Sequence, residues 1–76
     1  MDDYEGALED WQTALTLAPD QATYLYQAGD VLEKMGRVDE AAEYFRKAME
    51  LEPGNKTYAQ RLERIVKKYG MAPEVP

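Results

Sequence analysis

At 76 residues, the chain is long enough for one small domain, and a domain of this size buries a smaller share of its surface than a large one does. Hydrophobic residues make up 45% and charged residues 32%, an ordinary balance for a globular fold, and no apolar run approaches the roughly 20 residues that span a bilayer. The absence of cysteine and histidine removes disulfides, zinc and iron–sulfur ligation, thiolate nucleophiles and the usual general base at neutral pH, so no enzymatic role is expected.

The formal net charge of −6 disfavours a nucleic-acid partner, because neutralised phosphates supply most of that affinity. Its distribution is uneven. No Lys or Arg precedes Lys34, so residues 1–33 carry eight acids and no base, whereas the stretch 56–68 holds five bases and only Glu63. The two ends are electrostatically complementary. The chain opens on Met1-Asp2-Asp3-Tyr4-Glu5, acidic where a secretory signal would be basic, so the expected location is cytoplasmic.

The apolar periodicity predicts a first helix near residues 4–18, carrying Tyr4, Leu8, Trp11, Ala14, Leu15 and Leu17. Acids at its start favour the helix dipole. With Glu9 and Asp10 they lack the turn glycine and ligand spacing of a calcium loop, so neither a metal nor any other cofactor is expected. Pro19 stops the helix, and Asp20 is the expected N-cap of a second helix near 21–35, where Leu25, Ala28, Val31, Leu32 and Met35 recur at helical spacing before Gly36. A third helix near 39–52 carries Ala41, Ala42, Phe45, Ala48, Met49 and Leu51 and ends at Pro53. On its outer surface Glu43, Arg46, Lys47 and Glu50 stand three or four apart, as exposed pairs do. Asn55 caps a fourth helix near 55–69. After Gly70, two prolines in the last six residues bar another helix, so residues 71–76 read as a disordered tail or a linker to a 1–70 domain.

The second and third helices carry small residues at Ala28, Gly29, Ala41 and Ala48, which permit close approach in an antiparallel hairpin, with Leu25 and Phe45 filling the space between. The sequence also repeats itself at an offset of 34 residues: Ala7/Ala41, Trp11/Phe45, Ala14/Ala48, Leu17/Leu51 and Pro19/Pro53, then Tyr24/Tyr58, Val31/Ile65, Lys34/Lys68 and Gly36/Gly70. Leu25-x2-Ala28-Gly29-x2-Leu32, Ala41-x3-Phe45-x2-Ala48 and Pro53 together resemble the tetratricopeptide repeat. One entire repeat covers 22–55, a second-helix half repeat covers 3–19, and a first-helix half repeat covers 56–70. The resemblance implies an all-α fold of antiparallel helical hairpins, an α-solenoid of about four helices. Glu63 stands where the repeat has Gly29, so the last helix reads as a solvent-facing cap.

In this family the first helices of successive repeats line a concave groove that holds a protein or peptide. Carried over by position, the groove residues are Thr23, Tyr26, Gln27, Asp30, Glu33 and Lys34 on one helix, and Thr57, Gln60, Arg61, Arg64, Lys67 and Lys68 on the other. The implied partner is a peptide with acidic groups near Arg61 and Arg64 and an apolar contact on Tyr26. The same residues also fit an ordinary solvated helix face. Some members grip the C-terminal carboxylate of heat-shock chaperones with Lys, Asn and Arg on successive first helices. Tyr26 and Asp30 occupy the Lys and Asn positions here and only Arg61 matches, so that activity is not expected.

The first helix lacks its hairpin partner, and Tyr4, Leu8, Trp11 and Leu15 are expected to form an uncovered apolar face. Two large side chains left there would forfeit roughly 3–6 kcal/mol of burial. Three arrangements would cover the face: upstream repeats of a longer array, a second copy in a homodimer, or the helix of a different protein.

Overall fold

The structure, a computed structural model, describes residues 3–70. Pro19, Gly36 and Pro53 divide the apolar periodicity into four segments, and each folds as expected. Four helices result: α1 (Tyr4–Leu17), α2 (Ala22–Lys34), α3 (Val38–Leu51) and α4 (Lys56–Tyr69). Their ends fall within one or two residues of the expected ones, the usual latitude of helix boundaries. The 71–76 segment lies outside the described residues.

The connections repeat as the sequence does. After α1 the Gln21 amide donates to the Ala18 carbonyl at 3.3 Å, and after α3 the Asn55 amide donates to the Glu52 carbonyl at 3.0 Å, closing equivalent turns around Pro19-Asp20 and Pro53-Gly54. This corrects the expected role of Asp20, which sits inside the turn. Gln21 takes the cap position of α2 and makes no side-chain bond there. The equivalent Asn55 accepts from the Thr57 amide at 3.0 Å and caps α4 as expected. Asp3 does the same for α1 by accepting from the Gly6 amide at 2.9 Å. Gly36 ends α2 with φ +84°, a left-handed geometry open to glycine. There the Arg37 amide donates to the Leu32 carbonyl at 2.9 Å and the Gly36 amide to the Glu33 carbonyl at 3.0 Å, which satisfies the last carbonyls of the helix. The chain then reverses into α3.

Each helix packs on the next, and the α2–α3 hairpin has the most extensive contact. Its closeness depends on Gly29. A β-carbon there would lie 2.8 Å from Phe45 Cε1 and 3.3 Å from the Ala41 carbonyl oxygen. Ala28, Ala41, Phe45 and Ala48 are fully buried, and Leu8, Leu32 and Ile65 join them from α1, α2 and α4. One core thus runs through all four helices. On the outside of α3, Arg46 pairs with Glu43 at 3.4 Å and Glu50 at 3.6 Å, the surface support that the spacing predicts. Glu63 is mostly exposed beside Lys67 at 3.8 Å, in keeping with α4 as the water-facing end.

Two glycine substitutions test this account of the hairpin. Gly29→Ala should cost about 1–3 kcal/mol despite alanine's better helix propensity, because the added methyl must push Phe45 or α3 away. Gly54→Ala meets nothing within 4 Å, and it should be neutral or stabilise by up to about 1 kcal/mol. Urea melts of the two variants against the parent chain check both outcomes.

Candidate functional site

The helices α2 and α4 are first helices of successive repeats, and they lie side by side with a groove of 530 Å³ between them, lined by Asp30, Glu33, Lys34, Arg61, Arg64, Lys68 and Tyr69. The ladder of charges along it follows from the sequence. α2 contributes acids at Asp30 and Glu33, one helical turn apart, and α4 contributes bases at Arg61 and Arg64 with the same spacing. Arg61 Nη1 donates to Asp30 Oδ1 at 2.7 Å and its Nη2 donates to the Tyr26 hydroxyl at 2.6 Å. Arg64 Nη2 donates to Glu33 Oε1 at 2.8 Å.

These contacts differ in depth. The Asp30 and Arg61 side chains keep about a quarter of their exposure, 25% and 26%. Glu33 is buried, with Arg64 above it half exposed, and Tyr69 Oη donates to its other oxygen at 3.5 Å. Lys34 reaches Asp30 Oδ2 at 3.3 Å from the solvent side. A buried carboxylate is tolerated because each oxygen has a donor. Under Arg61 the Tyr26 ring lies 5.9 Å from Phe45 and 5.3 Å from Tyr58, tilted against both. The groove therefore joins the core through an aromatic step, and its two walls are tied by ion pairs.

Of the expected groove residues, Tyr26, Asp30, Glu33, Arg61 and Arg64 come together in this ladder. Gln27 lies half-buried on α2, and Gln60 is exposed. Lys67 turns toward Glu63 on its own helix and away from the ladder. Arg61 and Arg64, expected to meet acidic groups of a partner, meet Asp30 and Glu33 of the same chain. Tyr69, outside the expected set, touches Glu33. The signal for these pairs was present: acids on α2 and bases on α4 stand 31 residues apart in both cases, one helical turn short of the repeat offset.

The expected self-association face is rearranged. Leu8 is buried in the core, and Tyr4, Trp11 and Leu15 are half-buried. Leu8 turns into the core against α2, with Tyr4 and Leu15 half-buried beside it. The uncovered side of α1 is the one bearing Ala7, Trp11 and Ala14, where Trp11 leans on Tyr24 with ring centroids 5.7 Å apart. The offset of 34 residues contains this distinction. Ala41, Phe45 and Ala48, the equivalents of Ala7, Trp11 and Ala14, are fully buried in the hairpin with α2, whereas Val38, Ala42 and Met49, the equivalents of Tyr4, Leu8 and Leu15, are half-buried at the edge of the core.

Comparison with known families agrees with the hairpin geometry. A family model described as tetratricopeptide repeat matches residues 22–55, the bounds of the complete hairpin. A second, described as TPR repeat, matches residues 1–36 and so takes in α1 and α2. The chain belongs to the tetratricopeptide-repeat family. Such repeats generally mediate protein–protein interactions. In this TPR chain Asp30 holds Arg61 across the groove. Among the described residues no helix is long and apolar enough to cross a membrane.

The ladder should contribute to stability as well as to the groove. Arg61→Ala leaves Asp30 and the Tyr26 hydroxyl without their shared donor and should cost about 1–3 kcal/mol, more than an exposed pair would. A double-mutant cycle with Asp30→Ala, read by thermal or urea unfolding, should return a coupling energy of about 1 kcal/mol. A coupling near zero would mean that solvent screens this pair fully.

Proposed function

We propose that the chain is a protein-binding module that holds an acidic segment of a partner in the groove between α2 and α4, and that it acts by holding rather than by catalysis. The observation carrying this reading is the balance of charge along the groove. Asp30 and Glu33 stand against Lys34, Arg61, Arg64 and Lys68 among the lining residues, so cations outnumber anions even after the in-chain pairs are made. Lys68 lies over the Tyr69 ring at 5.3 Å from its centroid, with its ammonium at the groove rim.

An incoming carboxylate would share Arg61 or Arg64 with the acid already there, using N–H groups that Asp30 and Glu33 leave unused, since a guanidinium offers five donors. Lys34 and Lys68 would add rim attraction, which favours rate of encounter and selectivity over raw affinity. The ion pairs also hold the groove walls in place before a partner arrives, which reduces the ordering cost of binding.

The reading predicts a clear charge preference. Acidic synthetic 12-residue peptides should bind in fluorescence polarisation while basic peptides of equal length should not. Lys34→Glu combined with Lys68→Glu should weaken binding by about tenfold or more, and so should raising the salt from low to several hundred millimolar. Lys34 loses only an exposed pair with Asp30, so the unfolding midpoint should fall by no more than a few degrees. Equal binding of acidic and basic peptides would refute the assignment.

A further inference from the structure

The chemistry of the groove between α2 and α4 narrows what it can hold. Each of its seven lining residues carries a charge or a hydroxyl, so it offers no apolar floor on which a partner could anchor a side chain. The aromatic step beneath it is capped, since the Arg61 guanidinium lies over the Tyr26 ring at 5.1 Å from the centroid. Lys68 covers the Tyr69 ring in the same way. Affinity in such a groove must come from charge and hydrogen bonds. An exposed pair between one carboxylate and one base contributes little, because water solvates both partners nearly as well. A ligand held here needs more charge on one group.

The groove's own charges say how much. Lys34, Arg61, Arg64 and Lys68 face Asp30 and Glu33, a surplus of two positive charges in a space of 530 Å³. All six lie within α2 and α4, so the surplus is a property of these two helices. A phosphomonoester carries nearly two negative charges at neutral pH, together with three strong acceptor oxygens. Donors are available to meet those oxygens. Arg61 gives one N–H to Asp30 and one to Tyr26, and Arg64 gives one to Glu33, out of five on each guanidinium. The two arginines stand one turn apart on the same face of α4, which lets both reach a single tetrahedral group. Lys34 and Lys68 occupy equivalent positions one repeat apart and supply the surplus beside them.

Other phosphates fit less well. A nucleic-acid phosphodiester carries a single charge and would bring a row of further charges toward a chain of net −6. A phosphotyrosine ring would meet no open apolar face in the groove, whereas the short arm of phosphoserine or phosphothreonine needs none. Resting on the reading of the groove as a site for an acidic segment, we propose that the acidic group it selects is a phosphate on a serine or threonine of the partner, seated between Arg61, Arg64 and the two lysines.

The probes are terminally blocked 12-residue peptides, neutral except at the centre, which holds serine, one glutamate, two adjacent glutamates or phosphoserine. Binding to the 76-residue chain is read by fluorescence polarisation. At low salt and pH 7.5 the phosphoserine peptide should bind about tenfold tighter than the single-glutamate form, and several-fold tighter than the double-glutamate form of similar charge. The serine form should not bind. Between pH 7.5 and 5.5 the phosphate takes up a proton with a pKa of about 6, so the phosphoserine peptide should weaken about threefold. The glutamate forms meet the same Tyr26, Asp30, Glu33, Tyr69 and four bases, and so report any titration of the groove itself. Lys34→Gln with Lys68→Gln removes the surplus but leaves Arg61 on Asp30 and Arg64 on Glu33, and the preference for phosphoserine should be lost while the unfolding midpoint shows the fold intact. Equal binding of the phosphoserine and double-glutamate peptides overturns the phosphate assignment and leaves the acidic-segment reading standing. Failure of every acidic peptide, the phosphorylated one included, overturns both. Inorganic phosphate that displaces the phosphoserine peptide at concentrations near the peptide's own Kd gives the site to the free ion and overturns the partner as its source.

Discussion

The approach of Gly29 to Phe45 is the contact from which the other distances in the fold follow. With no side chain at Gly29, the backbone of α2 sits against the Phe45 ring, and the α2–α3 hairpin closes to a spacing at which Ala28, Ala41 and Ala48 also lose all solvent. Close packing then fixes where neighbouring helices can lie, since a dense interior transmits small displacements. α4 docks Ile65 and Tyr58 against the closed hairpin, and α1 adds Leu8 from the other side. The sideways stacking of α2 and α4, and with it the groove, depends on this one absent side chain.

On that frame the charge distribution acquires a structural role. An acidic half and a basic end within one chain read first as a statement about partners. Folding turns part of it inward, since Asp30 meets Arg61 and Glu33 meets Arg64 across the groove. Such pairs are only partly screened, because the acids are shielded by Tyr26 and the core beneath them. What remains for a partner is the surplus, cationic along the groove and anionic along α1.

Much of the architecture was legible before folding, and the reasons are local. Pro19 and Pro53 end helices because a proline cannot continue them, and Gly36 ends α2 because its φ of +84° suits glycine. Asp20 has the chemistry of a cap, but a good capping residue beside a proline is also a good turn residue, and its repeat equivalent Gly54 places the cap at Gln21. Leu8 lies in the core and not on an open face for a different reason. The apolar set of α1 is wide enough to serve two neighbours, and deciding which stripe meets which requires knowing the side from which α2 arrives.

Periodicity, helix punctuation and the internal repeat of 34 residues determine the helices, their order and the hairpin, because each depends on neighbours within a turn or on a pattern that recurs in the chain. The pairing of Asp30 with Arg61, the burial of Glu33, the contact from Tyr69 and the choice of the stripe bearing Ala7, Trp11 and Ala14 as the uncovered one were decided only in three dimensions. Each depends on residues some 30 positions apart coming within a few ångströms, and on which helix faces are covered. Those quantities are set by the angle at which packed helices cross, which depends on side-chain shapes from both helices jointly.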